Sequence, residues 1–375
     1  MPTLHQLAAA PPSLSTARVL IDAVYFLGLS VAAGAGLVLA LVAPIDRGGE
    51  VVAAVRRRVP WVIGIVVVTA VLQFVERAAR SAKSGIGQAF SRRALADFIH
   101  VRPAPGQHLG IGAIASIQMV AYVLLVAALC RLAVRGARAA AWAVLASSVL
   151  TVALPYLPFG PVTADTVAKA VLSIAHVTAV LVWVGGLAVL ALAGMSARRA
   201  VEPDAERVAA WHRAWARFSG VALYAVGTLI VSGAWLTWTH IGTPAQMVTT
   251  PYGRHLTVKL VMVAGMLIVG AYNSRVLLPG IAAARARDDR TTAVRLALRR
   301  FPIAVAVEAL LAVGVLLVVP FLAGSGRTQA GWPLARAFDL TVFGTGVLLV
   351  ALVAAALWAG GRATRSHDRE ERVTF

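Results

Sequence analysis

The segment Lys169-Ala170-Val171-Leu172-Ser173-Ile174-Ala175-His176-Val177-Thr178-Ala179-Val180-Leu181-Val182-Trp183-Val184-Gly185-Gly186-Leu187 decides the fold. It lies inside an apolar run long enough to cross a bilayer, yet it carries an ionisable ring near its middle and a Trp-x-Gly-Gly group seven residues later. On a helix, Lys169, Ser173, His176 and Trp183 share one narrow stripe. A polar stripe is costly in lipid, so it is expected to face protein or water.

Working outward, composition fixes the class. The chain has 375 residues, 59% hydrophobic and only 14% charged, and apolar windows of membrane-spanning length recur along it. The expected fold is all-α, a polytopic transmembrane helical bundle. The net charge of +19 does not point to nucleic acid, because Lys and Arg gather in short loops between apolar runs and no basic face carries interleaved aromatics. One cysteine, Cys130, excludes an intramolecular disulfide and any Cys-x-x-Cys metal box. The start of the chain lacks the charged segment of a cleavable signal.

About nine spans are expected, near residues 17–43, 59–80, 109–134, 138–158, 164–193, 214–240, 254–279, 300–324 and 334–360. Arginines fill alternate connections: Arg56-Arg57-Arg58, then Arg131, Arg135 and Arg138, then Arg198, Arg199 and Arg207, then six from Arg285 to Arg300, and finally Arg362 and Arg365. The positive-inside bias then places the N-terminus outside and the C-terminus in the cytoplasm. The outer connection near residues 82–108 departs from this rule, with Lys83, Arg92, Arg93 and Arg102. Its residues 90–100 are expected to form an amphipathic interfacial helix or lid. Two membrane units are expected, 1–160 and 161–361, followed by a cytoplasmic tail at 362–375.

Several segments together resemble the copper resistance protein D family. They are His176 to Leu187, Arg217-Phe218-Ser219, Gly233-Ala234-Trp235-Leu236-Thr237-Trp238-Thr239-His240, and Thr250-Pro251-Tyr252-Gly253-Arg254-His255-Leu256-Thr257-Val258-Lys259. Gly270-Ala271-Tyr272-Asn273-Ser274-Arg275 and Val307-Glu308-Ala309-Leu310-Leu311 complete the set. They follow the family's order over about residues 165–325. The resemblance implies a multi-pass inner-membrane protein of copper uptake or tolerance, with copper as its ligand. A separate periplasmic copper-binding protein is a candidate partner, besides membrane lipid.

The residues support a metal reading independently. In the expected topology His5, His100, His108, His240 and His255 lie at the outer surface, while His176 lies about 18 Å down its span. Imidazole suits copper and thioether sulfur suits Cu(I), so Met119 and Met247 join the histidines as candidate ligands, with Met262 and Met266 deeper. The oxidation state stays open. His240 and His255 flank one short loop, so both can approach a common ion. Core packing is the ordinary alternative for each Met, a solvated loop for each surface His, and a hydrogen bond to a neighbouring helix for His176.

Trp183 with Gly185 and Gly186 reads as a close-approach site for a neighbouring helix or ring. Asp22, Glu76, Asp165, Lys169, Lys259 and Asp339 fall near outer helix ends, where Asp–Lys pairs are expected. Near the inner end an Arg275–Glu308 pair is expected. Cys130 is expected to be a buried structural thiol.

No nucleotide-binding loop is present, so ATP hydrolysis is disfavoured, and no nucleophile, base and orienting acid share one depth, so an enzyme is not expected. The leading expectation is copper import through the histidines. A haem-bearing electron-transfer protein and a non-transporting copper-delivery subunit stay open, as does the coupling ion.

Overall fold

The computed structural model describes residues 16–46, 49–197, 205–322 and 324–333, together with positions 348, 351 and 352. In chain order its helices are α1 (Thr16–Val42), α2 (Glu50–Arg56), α3 (Val59–Ser81), α4 (Ile86–Ala89), α5 (Arg92–Ile99), α6 (Ile111–Arg135), α7 (Arg138–Ala153) and α8 (Ala164–Ala197). Then come α9 (Ala205–His240), α10 (Gln246–Thr249), α11 (Pro251–Tyr272), α12 (Leu278–Ala286), α13 (Arg290–Val294), α14 (Phe301–Val318) and α15 (Gly326–Gln329). No strand occurs among the described residues. A π turn at Asn273–Leu277 fuses α11 to α12, and another at Arg295–Arg300 fuses α13 to α14.

Eight helical rods among the described residues are long and apolar enough to cross a membrane. They match the first eight expected spans. The ninth, 334–360, lies outside the described residues apart from positions 348, 351 and 352, and Asp339, His5, the tail 362–375 and its His367 lie outside them too.

Local chemistry sets the helix ends. Thr250 caps α11, its hydroxyl accepting from Gly253 N at 3.0 Å, with Pro251 opening the first turn. Gly136, at φ 61°, closes α6 in the left-handed conformation so that α7 can start two residues later.

The centre is the crossing of α1 and α8. Between helices in lipid there is little hydrophobic driving force, so association relies on close backbone packing. Gly34 and Gly185 provide it: a Cβ at Gly34 would overlap the backbone of Gly185, and one at Gly185 would overlap the Ser30 carbonyl. Gly186 seats the Phe218 ring of α9 in the same way. The expected role of this glycine pair is thus seen on both sides, one facing a helix and the other a ring.

The connection near 82–108 forms two short helices, α4 of four residues and α5 of eight, at about 1.5 Å per residue too short to cross a membrane. Phe98 of α5 packs edge-on against Phe74 of α3, ring centres 5.4 Å apart, so the segment lies against the outer ends of α3 and α6.

Ion pairing corrects one expectation. The ion pairs among the described residues all use arginine, not Asp with Lys. Glu76 binds Arg80 at 2.7 Å and faces Arg18 at 3.6 Å, and Arg18 also lies 3.9 Å from Asp22. Asp165 and Lys169 are both exposed at the outer end of α8. The reason is reach: the guanidinium of Arg18 lies between two carboxylates, within ion-pair distance of both through Nε, whereas an ammonium at an exposed helix end stays hydrated.

Candidate functional site

His176 sits in the second half of its expected stripe, between the buried Ser173 and Trp183. Its Nδ1 lies 3.0 Å from Ser232 Oγ on α9. The Ser232 hydroxyl donates its own proton to Thr228 O at 2.6 Å. Ser232 must therefore accept from His176 Nδ1–H, and His176 Nε2 keeps a free lone pair. Lys259 of α11 bears electrostatically on the same ring, so α8, α9 and α11 all contribute to its surroundings.

Three more histidines share this arrangement. His240 Nδ1 is 2.7 Å from Leu236 O, His255 Nδ1 is 2.7 Å from Pro251 O, and His100 Nδ1 is 2.7 Å from Ala96 O. A carbonyl only accepts, so each Nδ1 is the donor and each Nε2 is left free to ligate. The ring of His240 stacks on Tyr252, 5.6 Å between centres and 8° from parallel. That of His255 stacks on Phe321 at 4.9 Å and 12°. Both lie where α9, α11 and α14 reach their outer ends, each held by its own aromatic partner.

The weaker candidates scatter. His100 and His108 are exposed on the connection into α6, where His108 N–H donates to Phe159 O at 2.6 Å. Met119 packs on the main core, and Met247 packs beside Ile241, Tyr252 and Leu256. Met266 is buried, and Met262 sulfur lies against Gly314 between α11 and α14. Among the described residues no group of three His, Cys, Asp or Glu is close enough to hold a metal. Cys130 is exposed on α6, not buried, because it falls on the face of that helix turned away from the bundle.

The expected Arg275–Glu308 pair is not formed. Glu308 is 3% exposed and its Oε1 accepts from Asn273 Nδ2 at 3.0 Å, while Arg275 is exposed. Arg275 follows the inward Asn273 by two residues, roughly half a turn around the helix axis, so it falls on the opposite face, whereas Leu277 is buried again. Gly270, one turn earlier, clears the space: a Cβ there would lie 3.2 Å from Glu308 Oε1.

Two residues of the site escape sequence reasoning. Ser232 orients His176 from another helix, and its one signal is a small polar residue beside Gly233 in an apolar span. Arg327 lies over the Trp238 ring at 5.7 Å and donates to Trp238 O at 3.3 Å, tying α15 to the end of α9.

Eight membrane-length helices around a glycine-packed crossing, with imidazole and carboxyl groups on α8, α9, α11 and α14, define a multi-pass helical membrane bundle. Residues 212–322 match the family model described as Copper resistance protein D, which supports the resemblance to that family and a role in copper resistance at the membrane. The match runs from α9 to the outer end of α14 and includes Ser232, His240, His255, Lys259, Asn273 and Glu308, while His176 lies upstream of it. Comparison with curated proteins and with solved structures gave no match.

Proposed function

We propose that this protein sits in the inner membrane, N-terminus outside, takes copper at its outer end and passes it through the 161–361 unit into the cytoplasm for uptake and homeostasis. His240 and His255 serve as the mouth, with His100, His108, Met119 and Met247 as auxiliary donors, and His176 is the deep station. Trp183, Lys259, Asp165, Lys169, Arg275 and Glu308 support the path by packing or charge. A separate periplasmic copper-binding protein delivers the ion.

The observation that carries this reading is the fixed tautomer of His176. A membrane-embedded imidazole held by Ser232 through Nδ1 offers a single directed lone pair at Nε2, the usual arrangement of a metal-ligating histidine. Inward passage is favoured because the imidazoles gather at the outer end. Separate stations suit passage, since each must bind well enough to admit the ion and weakly enough to release it.

The test is copper uptake into proteoliposomes by the native chain, by His176→Ala and by the double variant His240→Ala, His255→Ala. Uptake is expected to fall at least about tenfold in each variant, as for lost coordinating or orienting groups. Uptake that survives all three substitutions sinks the path. Copper binding without uptake in the native chain moves the reading to a delivery subunit, and a haem absorption band moves it to electron transfer.

A further inference from the structure

The search settles on the contact between α11 and α14, where Glu308 and Asn273 are both buried, 3% and 4% exposed. Asn273 Nδ2 donates to Glu308 Oε1 at 3.0 Å, but Asn273 Oδ1 is buried without any hydrogen-bond partner. A carboxamide has two faces, and here only its donor is used. An orphaned buried acceptor beside an ionised carboxylate would place oxygen lone pairs against each other in a medium that screens them poorly. One added proton removes the conflict. The neutral carboxylic acid still accepts from Nδ2 through one oxygen, and its hydroxyl is the donor that Oδ1 lacks.

We propose that Glu308 and Asn273 form a proton-binding site within the membrane, in which the acid pairs with the carboxamide on both of its atoms and the ionised form keeps only the Nδ2 bond. Binding adds one proton to Glu308 Oε2, and release returns it to water or to a neighbouring acceptor, with no other bond made or broken. Gly270 leaves the space for the carboxyl, and Asn273, on the same face three residues later, brings its carboxamide to α14. The site deepens the transport reading, because a carboxyl that exchanges protons at this depth is what coupling ion movement to a proton gradient needs.

The surrounding charges leave this pair to itself. On α11, Arg254 is exposed, His255 is bonded at the outer end and Lys259 lies toward His176, while Arg275 of the π turn is exposed. On α8, Asp165 and Lys169 are exposed and His176 is bonded to Ser232. On α1, Arg18 and Asp22 join the outer ion network and Tyr25 is bonded to Gln118. In the turn leading into α14, Arg295, Arg299 and Arg300 are exposed. Asn273 is the one polar neighbour among the described residues that bears on Glu308.

Infrared difference spectroscopy of the full-length protein in vesicles, without copper, tests the site apart from transport. Stepping the pH through the neutral range is expected to produce and remove the carbonyl stretch of a hydrogen-bonded carboxylic acid, shifted in D2O. Glu308→Gln abolishes that band, Glu308→Asp keeps it at a moved position, and Asn273→Ala shifts it toward the frequency of a free acid. A native spectrum with no such band, or one untouched by Glu308→Gln and Asn273→Ala, overturns the proposal. So does a carboxylate signal that responds to sodium or potassium and not to pH. If the band behaves as expected while copper uptake fails, the proton site stands and the transport reading falls.

Discussion

Glu76 on α3 and Glu308 on α14 are equally buried, each 3% exposed, yet their surroundings differ in kind. Glu76 has an arginine at each oxygen, Arg80 at Oε2 and Arg18 at Oε1, and neighbouring Arg77 runs on through Gln118 to Tyr25 and the Thr151 carbonyl. Glu308 has one carboxamide and no cation. A buried carboxylate between two guanidinium groups is compensated where it sits, so its task is to clamp α1 against α3. A buried carboxyl whose only partner is neutral has a proton as its compensating charge. Glu76 thus uses buried charge as structure, whereas the proposed site at Glu308 keeps its carboxyl for proton exchange.

The same substitution at both positions breaks the comparison most directly. Glu76→Gln removes the carboxylate that Arg80 binds and the nearer of the two that face Arg18. Removing one partner of a buried pair costs about 3–5 kcal/mol, and the partial exposure of Arg18 and Arg80 lowers that to about 2 kcal/mol here. Glu308→Gln replaces an acid by an isosteric amide that still pairs with both atoms of Asn273, and is expected to change stability by less than about 1 kcal/mol. Thermal unfolding in detergent at neutral pH, followed by tryptophan fluorescence, measures both. Equal losses would dissolve the distinction between clamp and proton site.

A smaller effect sharpens the functional half. Ser232→Ala removes the acceptor of His176 Nδ1–H. The folding cost is about 1 kcal/mol, that of one hydrogen bond, but copper affinity at the His176 station is expected to fall about 10- to 100-fold as the ring loses its orienting partner. Copper titration of His240→Ala, His255→Ala protein, with and without Ser232→Ala, isolates that station. Unchanged affinity would make Ser232 a packing contact only.

These contrasts mark what the sequence carried. The spans were legible because membrane length and apolar composition are one-dimensional signals, and the Gly185-Gly186 pair was legible because only close approach explains two glycines inside a lipid-length helix. Five of the six family fragments fall in the region that the family model matches, from His212 to Leu322, and the first, His176 to Leu187, lies upstream of it. Partnership between helices was not legible. Ser232 reaches His176 across 56 positions of chain, and no periodicity within one span reports which face meets another. The Arg275–Glu308 expectation rested on similar depth along the two spans alone. Depth does not report facing: Arg275 lies two residues, roughly half a turn around the axis, from the inward Asn273, and so on the opposite face. Cys130 failed for a related reason: in lipid the outer face of a helix is as apolar as the inner, so composition does not say which face a small residue takes.

The smallest expected effect lies outside the membrane, in the arginine-rich turn between α12 and α13, and asks whether a carboxylate in water behaves like either buried one. Asp289 caps α13, its Oδ1 accepting from Thr292 N at 2.9 Å. That backbone hydrogen bond, with help from the Thr292 hydroxyl and from Arg287 and Arg295, holds the carboxyl below its ordinary range. A depressed folded value means that the capping contribution is present above the unfolded carboxylate range and is lost as the pH falls through the folded one. Asp289→Asn keeps a capping oxygen but no titration. Amide exchange at Thr292 should therefore be slower in the native chain than in the variant at neutral pH, with the gap closing on acidification. A gap that persists in acid would mean that the charge does not act through the cap. A gap that closes would show a carboxylate whose charge serves one turn of helix, with neither the clamping role of Glu76 nor the proton exchange of Glu308.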